Sequence, residues 1–168
     1  MVANLIQNNL NGNDAVMFTL KKMRELVNEY KIKPEIREWT NYIHTIFNNT
    51  TDGRDFKKVF ENIYNFVKTY IRYQKDIEGV ETLQSPFQTL RLQMGDCDDQ
   101  SILIATLLEA SGYPSRFSVV SNRPDKIFTH VFAEGYTPTM QWIILDTVED
   151  VFGAEYTKPI TALYSEGV

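Results

Sequence analysis

The chain has 168 residues, a net charge of −5 and a sequence pI near 5.1, a balance that argues against a nucleic-acid surface, which needs a basic patch. Apolar residues at 43% and charged residues at 23% argue against wholesale disorder, and one cysteine excludes an intrachain disulfide. No apolar run is long enough to span a bilayer, and Met1-Val2-Ala3-Asn4 lacks the basic and apolar regions of a signal peptide. The expectation is a soluble single domain over residues 1–168, with a helical portion over 1–75 and a catalytic core over 83–147.

The first half reads as helices. Val16, Leu20, Met23, Val27 and Tyr30 recur at helical spacing, with Asp14 placed as N-cap. Lys31–Lys33 break the pattern, and Pro34 suits the first turn of a second helix whose stripe is Ile36, Trp39, Ile43, Ile46 and Phe47. Asn48–Gly53 is a polar loop. A third helix carries Phe56, Val59, Phe60, Ile63, Phe66, Val67, Tyr70 and Ile71 on one face. Stripes this regular read as scaffold. Tyr73–Leu92, punctuated by Gly79 and Pro86, reads as irregular surface chain or a groove lining. Cys97–Ala110 is apolar on nearly every side, which predicts a central buried helix ended by Gly112 and Pro114. Strands are predicted at Arg116–Ser121, Phe128–Tyr136 and Gln141–Thr147; the tail from Glu149 carries no clear pattern.

The chemistry gathers around Gly95-Asp96-Cys97-Asp98-Asp99-Gln100, which puts the cysteine at the mouth of the buried helix. A lone cysteine reads first as a small buried hydrophobe. Here His130 and Asp146 follow it, each within a strand-like segment. Thiol, imidazole and carboxylate in that order are the equipment for covalent acyl transfer. His130 and Asp146 are equidistant from Pro138, so in a hairpin centred there they face each other with Cβ atoms roughly 4.5–5.5 Å apart. A one-residue slip would put them on opposite faces. The helix N-terminus and a protonated His130 would lower the thiol pKa, whereas Asp96, Asp98 and Asp99 would raise it. Asp98 and Asp99 read as helix-start residues; a Ca²⁺ site at Asp96, Asp98 and Asp99 is the alternative, and no other cofactor is implied. Oxyanion donors are the Cys97 N–H and the amides of Gln84 and Gln93, unless these two are ordinary loop residues. Trp142 belongs to the core or flanks the site, Glu134 shares a strand face with His130, and His44 reads as structural.

Together, Gly95-Asp96-Cys97-Asp98-Asp99, Tyr113-Pro114-Ser115-Arg116-Phe117, Thr129-His130-Val131-Phe132 and Trp142-Ile143-Ile144-Leu145-Asp146 resemble the transglutaminase-like cysteine enzyme superfamily. The resemblance covers about Leu83–Thr147, and Gly79–Pro86 resembles the small form found in bacteriophage genomes. It implies a papain-like α+β fold: N-terminal helices and a central nucleophile helix packed on a small antiparallel sheet. It implies Cys97 as nucleophile, His130 as base and then acid, and Asp146 as the residue orienting His130. Some bacterial proteases of the superfamily bind Ca²⁺ near the nucleophile. The function so implied is peptide or isopeptide cleavage, or amine transfer, through a thioester on a protein or peptide substrate. The alternative is a phage particle component, assembled with other virion proteins, that keeps the fold without turnover. Either way the chain is expected in the cytoplasm or a virion, with no membrane span and no nucleic-acid partner.

Overall fold

A computed structural model describes residues 4–6, 12–47, 55–76, 81–154 and 159–168. Its helical half follows the apolar stripes. Helix α1 (Asn13–Tyr30) buries Leu20, Met23, Val27 and Tyr30. Its cap is Gly12, at φ 61, rather than Asp14, which falls inside the first turn. Asn13 instead pins the loop before the second predicted strand: Nδ2 donates to Lys126 O at 3.1 Å and Oδ1 accepts from Phe128 N at 3.0 Å. Helix α2 (Pro34–Ile46) starts on Pro34 and buries Ile36 and Ile43. The polar loop expected over Asn48–Gly53 lies outside the described residues. Helix α3 (Phe56–Tyr70) is capped by Asp55, which accepts from Lys58 N at 3.3 Å.

The segment expected to be irregular is largely structured. Strand β1 (Asn4–Ile6) pairs antiparallel with β3 (Glu81–Leu83), and β2 (Arg72–Tyr73) pairs parallel with β4 (Met94–Gly95). Between β3 and β4 lies helix α4 (Pro86–Leu92). Its start is conventional: Ser85 accepts from Gln88 N at 3.3 Å and Pro86 occupies the first turn. Seven residues are too few to repeat an apolar stripe, so periodicity could not reveal it.

Helix α5 (Cys97–Ala110) is the central element, buried from Asp99 to Leu108 and packed against α1, α2, α3, α4 and the sheet. It ends in a Schellman turn: Gly112 sits at φ 86, Gly112 N donates to Glu109 O at 3.0 Å, and Tyr113 N to Leu108 O at 3.0 Å. The sheet is antiparallel in the order β7-β6-β5-β8, from β5 (Ser115–Ser121), β6 (His130–Tyr136), β7 (Trp142–Leu145) and β8 (Ala162–Gly167). The unassigned tail thus supplies an edge strand beside β5, on the side away from β6 and β7. No helix among the described residues is long and apolar enough to cross a membrane.

The hairpin register corrects the expected one. Ala133 pairs with Leu145 and Tyr136 with Trp142, so the turn centres on Thr139 and not Pro138. Met140, at φ 60, absorbs the extra residue of the turn. Pairing therefore moves by two positions, which preserves the face on which each side chain lies. His130 and Asp146 become diagonal neighbours rather than direct partners.

Candidate active site

Cys97 is the first residue of α5, and the chain before it is built to start a helix. Asp96 Oδ1 accepts from Asp98 N at 3.0 Å and Asp99 N at 3.2 Å, while Asp99 Oδ2 accepts from Asp96 N at 3.4 Å. This reciprocal box satisfies donors that the first turn leaves without intrahelical partners. Asp99, 1% exposed, also accepts from Gln84 N at 2.8 Å and so ties the loop before α4 to the helix. Burial and the Asp96 charge push its carboxyl up to about 7.

Three groups converge on the thiol. Asp98 Oδ1 lies 3.6 Å from Cys97 Sγ and accepts its S–H. The backbone N–H of Val131, the residue after His130, and the Tyr73 side chain both lie close enough to the thiol to act on it electrostatically. Burial pushes the Cys97 thiol well up; Asp98 and Asp96 push it further the same way, and the Val131 N–H opposes them. The same surroundings, burial first, push the Tyr73 phenol up to about 12.

His130, at the start of β6, binds Asp146 just past the end of β7: Nε2 and Oδ2 are 2.7 Å apart. Both are sheltered, with side chains 13% and 3% exposed. The second carboxylate oxygen of Asp146 accepts from Val148 N at 3.0 Å, which fixes its plane. An imidazole held by a carboxylate beside a thiol can shuttle the proton of an acyl transfer.

Gln100, which nothing in its sequence context singled out, braces these parts. Its amide, 3% exposed, donates to Gly95 O at 3.2 Å and Ile71 O at 3.4 Å, and its oxygen accepts from Thr147 Oγ1. One side chain thus links the residue before β2, the strand before Cys97 and the residue after Asp146. A polar residue one turn into an apolar helix was the available signal. Tyr73 gave none, because a two-residue strand leaves no pattern.

The other expected site residues separate. Trp142 pairs with Tyr136, six positions along β6 from His130, or about 20 Å of strand. There it stacks on Tyr136 at 4.8 Å and under Arg116 at 4.3 Å, so it does not flank the thiol. The side chain of Gln93 is exposed at the left-handed C-cap of α4, and its carbonyl, accepting from Arg72 N at 2.8 Å, does the structural work. Gln84 contributes its N–H to Asp99, while its Oε1 is buried with no hydrogen-bond partner among the described residues. Glu134 is committed to Arg116 at 2.7 Å and to Ser118, away from His130. His44 contacts Asn62 at 3.2 Å between α2 and α3, and burial lowers its pKa. The Sγ of Cys97 and carboxylate oxygens of Asp96 and Asp98 lie within 4.8 Å of one another. Asp99, turned inward to the cap and Gln84, is not part of that group.

A family model described as the transglutaminase-like superfamily matches residues 40–147. The chain belongs to the transglutaminase-like superfamily. Solved structures show the same fold. A crystal structure of a protease candidate from Parabacteroides distasonis superposes with a TM-score of 0.56 at 12% identity, covering 74% of this chain and 25% of that one. Calcium-bound LapG from Legionella pneumophila gives 0.52 at 23% identity, over 79% of this chain and 75% of that one. EGTA-treated LapG gives 0.51 at 22% identity over 79% and 73%. This transglutaminase-like chain thus spans a quarter of the first protein and about three-quarters of LapG. Among curated proteins, none matches it in sequence.

Proposed function

We propose that this transglutaminase-like chain is a cysteine-dependent amide acyl hydrolase or transferase, cleaving a peptide or isopeptide bond through a thioester on Cys97. The observation that carries the reading is the 2.7 Å contact between His130, at the start of β6, and Asp146, with the next residue, Val131, set close enough to Cys97 to act on its thiol. Asp146 holds the proton on Nε2, so that the Nδ1 lone pair takes the thiol proton. Sγ attacks the carbonyl carbon, and the carbonyl π pair moves to oxygen. Collapse restores the carbonyl and expels the amine, which leaves with the proton from His130. Water, deprotonated by the same imidazole, then cleaves the thioester; a lysine amine in place of water gives transfer.

Iodoacetamide labelling of Cys97 against pH, read by intact mass in wild type and His130→Ala, tests it. The single cysteine makes the readout unambiguous. A Cys97–His130 pair gives labelling that persists well below the ordinary thiol pKa of about 8.5 and collapses in the variant. A specific observation favours a second reading, a chain that keeps the fold without turnover, as a phage particle component would: burial, Asp98 and Asp96 all push the thiol toward its protonated form. Labelling that follows an ordinary or weaker thiol, indifferent to His130, supports that reading instead.

The same carboxylates suit a hard cation. Carboxylate oxygens of Asp96 and Asp98 lie within 4.8 Å of each other beside Cys97. Two carboxylates make an open Ca²⁺ site, with the rest of the shell supplied by water. A cation there would offset the charge that raises the Cys97 pKa. Calorimetry with Ca²⁺ should then show heat that Asp98→Asn removes; no heat for the wild type ends this part of the reading.

A further inference from the structure

We propose that Gln100 is a positioning residue for the acyl transfer: through Thr147 it locks the loop that carries Asp146 to the helix that carries Cys97. The inference rests on the reading of Cys97 as a nucleophile served by His130. Gln100 follows Cys97 by one turn, in the buried and mostly apolar part of α5. With the side chain sealed from water, its amide destabilises the fold unless its polar atoms find partners. A methionine would fill a similar space without that demand, so packing alone does not call for glutamine.

The partners leave the amide one orientation. Two carbonyls, Gly95 O at 3.2 Å and Ile71 O at 3.4 Å, take the two protons of Nε2. Oε1 then faces the other way and accepts the proton of Thr147 Oγ1. Gly95 O also accepts from Gln74 N at 3.0 Å, so the donor side of the amide grips the paired strands β2 and β4. The acceptor side reaches the residue next to Asp146.

Asp146 stands where such a tie matters. The β6–β7 ladder ends with Ala133 and Leu145, one residue short of it. The loop that follows is held from two sides. From α3, Lys68 Nζ donates to Thr147 O at 2.9 Å and to Glu149 O at 3.2 Å, and the Tyr64 hydroxyl donates to Glu149 O at 2.6 Å. These bonds set the loop against α3. Gln100 sets it against α5, and so fixes the carboxylate that holds His130 at 2.7 Å relative to the thiol.

Iodoacetamide labelling of Cys97 on the full chain, read by intact mass, measures how far His130 assists the thiol. The quantity is the ratio of rates with His130 present and with His130→Ala, at a pH below the ordinary thiol pKa of about 8.5. It is compared in the wild type, Thr147→Val, Thr147→Ser and Gln100→Met, as a set of double-mutant cycles. Thr147→Val keeps the side chain's shape and removes the hydroxyl alone, so it tests the tie even if Gln100→Met does not fold. The expected result is a ratio lowered about 10-fold in Thr147→Val, short of the 10²-fold that a 1 Å misplacement can cost, and restored in Thr147→Ser. Urea unfolding of the same proteins separates position from stability. A lower urea midpoint with the wild-type ratio would mean that Gln100 and Thr147 only hold the fold; it overturns the proposal and leaves the Cys97–His130 pair standing. A ratio lost equally in Thr147→Val and Thr147→Ser overturns it too, because the hydroxyl would not be the tie. A wild-type rate indifferent to His130 overturns the nucleophile reading, and this inference with it.

Discussion

At the scale of single residues, the thiol is governed by its neighbour. Asp98 is the leading charge that pushes Cys97 up, and it accepts the S–H directly. Replacing it with asparagine removes that charge and keeps the side chain's shape. The expected outcome for Asp98→Asn is a thiol pKa shifted down and faster iodoacetamide labelling at neutral pH, measured as a pH–rate profile by intact mass. A profile that does not move would mean that burial alone sets the thiol. The His130 imidazole, by contrast, has a carboxylate at 2.7 Å whose other oxygen is tied to Val148 N.

At the scale of elements, the candidate site depends on how closely β4 approaches α5. A Cβ built on Gly95 would lie 2.6 Å from Asp99 Cβ and 2.9 Å from its Oδ2. Cβ is the stiff root of that side chain, so it cannot swing aside. Gly95→Ala should therefore displace Asp99, loosen the cap and release the Gln84 loop, costing about 1–3 kcal/mol in urea unfolding, as overpacking does. Wild-type stability in this variant would show that the backbone there gives way easily. The same logic explains Gly135, where a Cβ would lie 2.5 Å from the Phe60 ring. Helix α3 rests directly on β6 at that point, and the contact fixes the strand that begins with His130.

At the scale of the whole molecule, Asp99 couples stability to pH. Its carboxyl is raised in the folded chain from 3.8 to about 7, because burial and Asp96 both disfavour its charge. The folded state thus binds its proton more tightly than the unfolded state does. By linkage, that contribution to stability is full below pH 3.8 and is lost as pH rises through about 7. The urea midpoint should carry a downward component between those values, and Asp99→Asn should flatten it. An unaltered slope in the variant would assign the pH dependence to other groups. The central position of α5 makes this global: the element that Asp99 helps to start is the one on which α1, α2, α3, α4 and β6 all pack.

The sequence by itself determined the helices with long stripes, the buried α5, the antiparallel hairpin and the Cys97, His130 and Asp146 candidates. Each of these is written locally, as a repeat of 3.6 or 2 or as a residue at a helix mouth. Tertiary structure decided what two or three residues cannot encode. The parallel β2–β4 pair sets the chain after α3 beside the residues just before Cys97, and β8 finds its place only because β5 offers an edge. The hairpin register was legible to its face but not to its position, since side-chain parity survives a shift of two and only the turn backbone around Thr139 sets the rest. Gln100, Asp98 and Asp99 sit close together in sequence, yet one braces the site, one holds the thiol's proton and one clamps a distant loop. Their tasks follow from which way each faces once α5 is buried, and that direction exists only in the folded chain.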